Sequence, residues 1–178
     1  MKGQIVLIGM MGVGKTAVGQ EMARQLGVSF TDIDAEIERA AAMSIPEIFA
    51  RDGEAFFRDR ESMVLSRLLG GPHGVISTGG GAWIQARNRS LIREAGLAVW
   101  LDADLDTLWE RVRQRPTRPL LMTGDPKGTL ATLIESRSPV YARAGLRVQS
   151  DSKADVETTA RRVIASIRDA HPEFLEAR

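Results

Sequence analysis

The stretch QIVLIGMMGVGKTAVGQ, Gln4 to Gln20, constrains the fold more than any other part of the chain. Ile5 to Ile8 read as a buried strand, Lys15 to Leu26 as an amphipathic helix closed by Gly27, and the glycines between them as a tight turn. Gly9, Gly14, Lys15 and Thr16 satisfy G-x-x-x-x-G-K-[ST] with the correct flank on either side. Each part has a physical purpose. Glycines let backbone N–H groups wrap closely round phosphate oxygens, and the helix that follows adds its positive end. The lysine reaches the terminal phosphates and the threonine hydroxyl suits Mg²⁺. A nucleoside triphosphate is therefore expected against Gly12, Val13, Gly14, Lys15, Thr16 and Ala17.

The rest of the chain repeats that alternation of short apolar runs and helical periods, which predicts an α/β fold: a parallel sheet with helices on both faces. Strands are expected at Val28 to Ile33, Val75 to Ser77, Leu97 to Leu101 and Leu146 to Gln149. Helices are expected at Asp34 to Ala42, Ser44 to Arg51, Glu54 to Leu69, Asn88 to Ala95, Leu105 to Arg115, Thr129 to Ala144 and Val156 to Ala170. One segment breaks the pattern. RPTRPLLMTGDPKG holds three prolines and two glycines in fourteen residues, too long for a mere connection, and reads as a lid, centred on residues 113–125. At 178 residues the whole is expected to be one domain.

Composition excludes several functions. With 24 basic and 23 acidic side chains the net charge is +1, which favours neither nucleic acid nor an anionic membrane as partner. There is no cysteine, so disulfides, thiolate metal sites and cysteine nucleophiles are out. The longest apolar stretch, Ile5 to Val13, carries two glycines and runs into Lys15, unlike a signal peptide or a membrane span. A cytoplasmic protein is expected, with small-molecule partners.

What receives the phosphoryl group must be read from other polar features. Asp32 and Asp34, in T31-D-I-D34, fall at the end of the second strand, where ligands of open α/β sheets lie. In an extended segment both carboxylates would face the cleft; alternatively Asp34 caps the next helix. GEAFFRDRE sets Arg58 beside Phe56 and Phe57. The segment S77-T-G-G-G-A82 puts three glycines after a strand, as where something approaches the main chain closely. No aspartate ends that strand, which leaves Asp32 as the candidate metal carboxylate. Arg118 falls in the lid, and Arg137 and Tyr141 share a helix face at i, i+4. Arginine forks suit carboxylates and phosphates; ordinary surface charge and packing are the alternatives.

Taken in order, GMMGVGKT, DID, GEAFFRDRE, STGGGA, RPLL and RSPVY resemble the shikimate kinase family over nearly the whole chain. The resemblance implies a three-layer P-loop NTPase fold of the nucleoside monophosphate kinase type, with a five-stranded parallel sheet, a lid and a substrate-binding region at about residues 33–61. It implies ATP-dependent phosphorylation of the 3-hydroxyl of shikimate on the way to chorismate and aromatic amino acids, with Mg²⁺, in a monomer. Position by position, it makes Lys15 and Arg118 stabilisers of the transferring group and Asp34 the base on the acceptor hydroxyl. Thr16 and Asp32 would serve the metal, with Ser77 beside them. Arg58 and Arg137 would clamp the shikimate carboxylate, Gly79, Gly80 and Gly81 would offer backbone donors, and Phe49 and Phe57 would wall the pocket. Arg111 would stack on adenine, bordered by the loop containing Ser152. One position departs from the family: Arg143 stands where an acidic residue is frequent. The rival readings are a gluconate-type kinase and a non-catalytic nucleotide-binding regulator.

Overall fold

The computed structural model describes residues 2–114, 122–151 and 153–175. Five strands run parallel in the order β2-β3-β1-β4-β5: β1 Gln4–Ile8, β2 Ser29–Asp32, β3 Gly74–Ser77, β4 Gly96–Asp102 and β5 Leu146–Gln149. β1 and β3 are buried along their whole length, as only cover on both sheet faces allows. Helices α1 Lys15–Leu26 and α7 Val156–Ala170 pack on each other; α3 Ile45–Leu69 packs on α4 Ala86–Ala95, which lies on β4. The remaining helices are α2 Ile33–Ala41, α5 Leu105–Val112 and α6 Pro126–Tyr141. No described helix is long and apolar enough to cross a membrane.

β1 is central: the chain builds β2 and β3 on one side of it, then β4 and β5 on the other. The crevice of such a sheet opens outside the carboxyl ends of the strands where the order reverses. The glycine loop, the acidic pair and the triple glycine leave the ends of β1, β2 and β3 in turn, so topology alone brings them to one edge.

Several boundaries differ from expectation for local reasons. The second strand stops at Asp32, because Ile33 already begins α2. The two helices expected either side of Gly53 both form within α3 and meet at a break there, where Gly53 has φ 84°, ψ 172°, which glycine alone accepts without strain. Ser44 closes its start through a capping box with Glu47. α6 begins at Pro126 instead of Thr129: the Asp125 side chain accepts from Gly128 N, and proline suits the first helical position. It ends at Tyr141, soon after Pro139, short of the expected Ala144. Two short 3₁₀ turns, Ala82–Ile84 and Pro172–Phe174, were not legible in the pattern.

Candidate active site

The loop between β1 and α1 has the backbone that its glycines permit. Gly9, Gly12 and Gly14 have φ of 140°, 81° and 99°. A β-carbon on Gly9 would stand 2.3 Å from the carbonyl oxygen of Leu101, and one on Gly12 2.5 Å from Val112 Cγ2. Lys15, 8 % exposed, donates to the carbonyls of Gly9 and Met10 at 2.8 and 2.9 Å, so its ammonium lies within the curve of the loop.

A cleft of about 670 Å³ opens over this loop. Every predicted nucleotide contact from Gly12 to Ala17 lines it, as do Arg111, Asp32, Asp34, Gly79 and Gly80. Arg111 ties two walls together, donating to Val13 O at 2.9 Å and to Asp151 O at 3.4 Å. Two predicted residues, Arg118 in the lid and Ser152, lie outside the described residues.

The acidic pair is divided by a change of secondary structure. Asp32, last in β2, caps α2: its Oδ1 accepts from Asp34 N at 3.0 Å and Ala35 N at 3.2 Å. The extended reading of this segment is thus corrected, and so is the alternative in which Asp34 is the cap. The other oxygen of Asp32 accepts from the Thr16 hydroxyl at 2.8 Å, and the Ser77 hydroxyl is 3.5 Å from Thr16. Carboxylate and hydroxyl oxygens without nitrogen or sulfur are the donor set of a hard cation, so these residues fit Mg²⁺. Among the described residues no cluster of three acidic or histidine side chains competes for a metal.

Asp34 occupies the first turn of α2 and points into the cleft floor, and its Oδ1 is buried without a hydrogen-bond partner. Burial first, and the Asp32 charge second, push its carboxyl up to about 6, against the pull of Lys15 and Arg58.

The triple glycine explains how the acceptor side is assembled. A β-carbon on Gly79 would lie 3.0 Å from Asp34 Oδ1, one on Gly80 3.4 Å from an Arg137 nitrogen, and one on Gly81 2.5 Å from an Arg58 nitrogen. Each glycine makes room for a different predicted side chain, from α2, α6 and α3 respectively. Arg58, Arg137, Phe49, Phe57 and Gly81 do not line that cleft; Arg58 and Arg137 lie against Gly81 and Gly80, and the Phe57 ring lies beside Arg58. Phe49 and Phe57 pack with ring centres 4.8 Å apart and planes tilted by 43° across the Gly53 break, and the Arg58 guanidinium lies 5.1 Å from the Phe57 ring centre.

Sequence reasoning missed Glu61. It is fully buried, accepts from Arg58 at 2.9 Å, and is pushed up to about 7, by burial above all. Its spacing of i+3 from Arg58 was the available signal. The buried side-chain polar atoms without a partner among the described residues are Asp34 Oδ1, Arg58 Nε and Glu61 Oε1, all in this one cluster. Unsatisfied buried polar atoms are costly and rare, and their convergence marks a place built for a polar ligand.

Comparison with known proteins points to one family. The sequence matches the family described as shikimate kinase over residues 11–168. It is 59 % identical to the shikimate kinase of Ruegeria pomeroyi over 163 residues, 92 % of this chain and 84 % of that one. It is 54 % identical to the shikimate kinase of Cereibacter sphaeroides over 179 residues, 99 % and 87 % of the two chains. Among solved structures it is similar to shikimate kinase from Acinetobacter baumannii in complex with shikimate, at TM-score 0.90 and 35 % identity, covering 95 % of this chain and 94 % of the other.

Proposed function

The chain belongs to the shikimate kinase family, and we propose that its cleft transfers the γ-phosphoryl group of ATP to the 3-hydroxyl of shikimate, releasing shikimate 3-phosphate and ADP. The observation that carries this reading is the cluster at the glycine turn. A raised carboxyl and two arginines stand beside a phosphate loop, with three buried polar atoms still unsatisfied. A small acceptor bearing a carboxylate and hydroxyls complements that set.

Phosphoryl transfer asks for alignment and charge neutralisation more than covalent chemistry. The loop N–H groups and Lys15 bind the phosphates. Arg111, which already bridges the loop and the Asp151 backbone, borders the base. Thr16 and Asp32, with Ser77 beside them, would hold Mg²⁺, which supplies charge neutralisation for the phosphates when bound. Arg58 and Arg137 take the carboxylate of shikimate, Glu61 holds Arg58 in place, and Phe49 and Phe57 back the ring. Asp34 accepts the proton of the attacking hydroxyl; a carboxyl near 6 is a stronger base than an ordinary one and remains ionised at neutral pH. The lid contributes Arg118 by the motif it shares with the family. Residues 33–61 form the acceptor region of what we take as a single-domain, cytoplasmic monomer.

The test is ADP release from ATP and Mg²⁺ with and without shikimate, with Lys15→Ala as the blank. Release that needs shikimate and vanishes in the variant is expected. ATP binding without a response to shikimate would reject the acceptor and point to a gluconate-type substrate.

A further inference from the structure

One buried hydroxyl at the site has no role in that scheme. Tyr141, 1 % exposed, ends α6 with its ring 5.8 Å from that of Trp100. Its hydroxyl donates to the carbonyl of Gly80 and lies 3.7 Å from Met10 Sδ, in the phosphate loop. One helical turn earlier on the same face, Arg137 lies against the same glycine, its Nη1 3.4 Å from where a β-carbon on Gly80 would stand, and its charge acts on the phenol. Three separate elements thus meet at one oxygen atom.

We propose that Tyr141 is a positioning residue for the acceptor, its hydroxyl holding the Gly80 peptide and the Arg137 guanidinium in one fixed arrangement. The inference rests on the reading of Arg137 as a carboxylate ligand. Gly79 to Gly81 have the freest backbone in the site, so their conformation must be imposed from outside. In a planar trans peptide the N–H of Gly81 points opposite to the carbonyl of Gly80. A bond that fixes the carbonyl therefore also aims that N–H. The long Arg137 side chain, packed against Gly80, gains from the same fixed turn, because ordering it before the ligand arrives lowers the cost of binding. A second bond braces the joint: Trp83 Nε1, just past the glycines, donates to Val140 O at 2.9 Å. Burial pushes the phenol up to about 12, so it remains a donor throughout the working range of pH. The thioether of Met10 is only a weak acceptor, so the nucleotide loop should barely register loss of the hydroxyl.

Tyr141→Phe keeps the packed ring and removes the oxygen. Steady-state kinetics of the enzyme, with Tm measured alongside, should show the KM for shikimate raised roughly three- to tenfold, the scale of a lost hydrogen bond. The KM for ATP should stay within about twofold of wild type. In an Arg137→Ala background the same change should cost less than about twofold more, because residues acting together are not additive. Three results would overturn the proposal: an unchanged shikimate KM, both KM values rising together with a fallen Tm, or an undiminished effect in the Arg137→Ala background. A wild-type chain without shikimate-dependent ADP release would overturn the parent reading as well; unchanged kinetics beside an active wild type overturn the role of Tyr141 alone.

Discussion

Asp34 lies against Gly79: a β-carbon on the glycine would stand 3.0 Å from Oδ1 and 3.4 Å from Oδ2 of the carboxyl. Gly79 does not adopt the left-handed backbone, so alanine there is opposed by the carboxyl rather than by its own φ. We expect Gly79→Ala to fold with a Tm near wild type and to lose roughly tenfold or more in kcat, since small displacements of a reacting group are costly. Gly12→Ala, with φ 81° and Val112 in the way, should instead lower Tm. Thermal melts beside kinetics separate the two cases.

Asp34→Asn retains size and removes the base, and kcat should fall roughly 10²-fold or more. In wild type, kcat/KM should decline as pH falls through about 6, where Asp34 takes up its proton. The asparagine variant should lack that step. Near-normal turnover in it would remove Asp34 from the role.

The same raised carboxyl makes a prediction about stability. A folded state that binds the proton more tightly than the unfolded chain loses stability as pH rises. For Asp34 the window runs from 3.8 to about 6, and for Glu61 from 4.5 to about 7. Asp34→Asn should therefore raise stability at pH 8 by about 1–3 kcal/mol, read as a higher Tm, and not at pH 3.5. Equal shifts at both values would rule out this origin.

Asp32 serves two purposes, and two substitutions should separate them. Asn can still accept the backbone N–H groups of α2, so Asp32→Asn should melt near wild type yet need more Mg²⁺ for half-maximal rate. Asp32→Ala loses the cap as well, at a further cost of about 1 kcal/mol. A Mg²⁺ titration that neither variant alters would free Asp32 from the metal.

Arg58→Ala and Arg137→Ala should each raise the KM for shikimate roughly 10- to 100-fold, as loss of a charge-assisted hydrogen bond implies, with ATP affinity intact. For Arg58 an extra effect is expected: its removal leaves the buried Glu61 without its cation, so Tm should fall further than in Arg137→Ala. Loss of ATP affinity alone in either variant would overturn the clamp.

The local elements were legible because their causes are local. The glycine loop with its strand and helix, the capped start of α3 and the order of strands and helices follow from residues a few positions apart. So does the placing of Arg137 and Tyr141 on one helix face, which helical spacing dictates. The triple glycine was legible as a place of close approach, but what approaches it was not: Asp34, Arg137 and Arg58 arrive from three helices far apart in the chain. Tertiary structure also decided that Asp32 rather than Asp34 caps α2, that Glu61 is wholly buried, and that Asp34 is a raised carboxyl. Burial and electric field are sums over every neighbour in space, and a sequence read along its length specifies which side chains exist before it specifies which of them share a dry, charged volume.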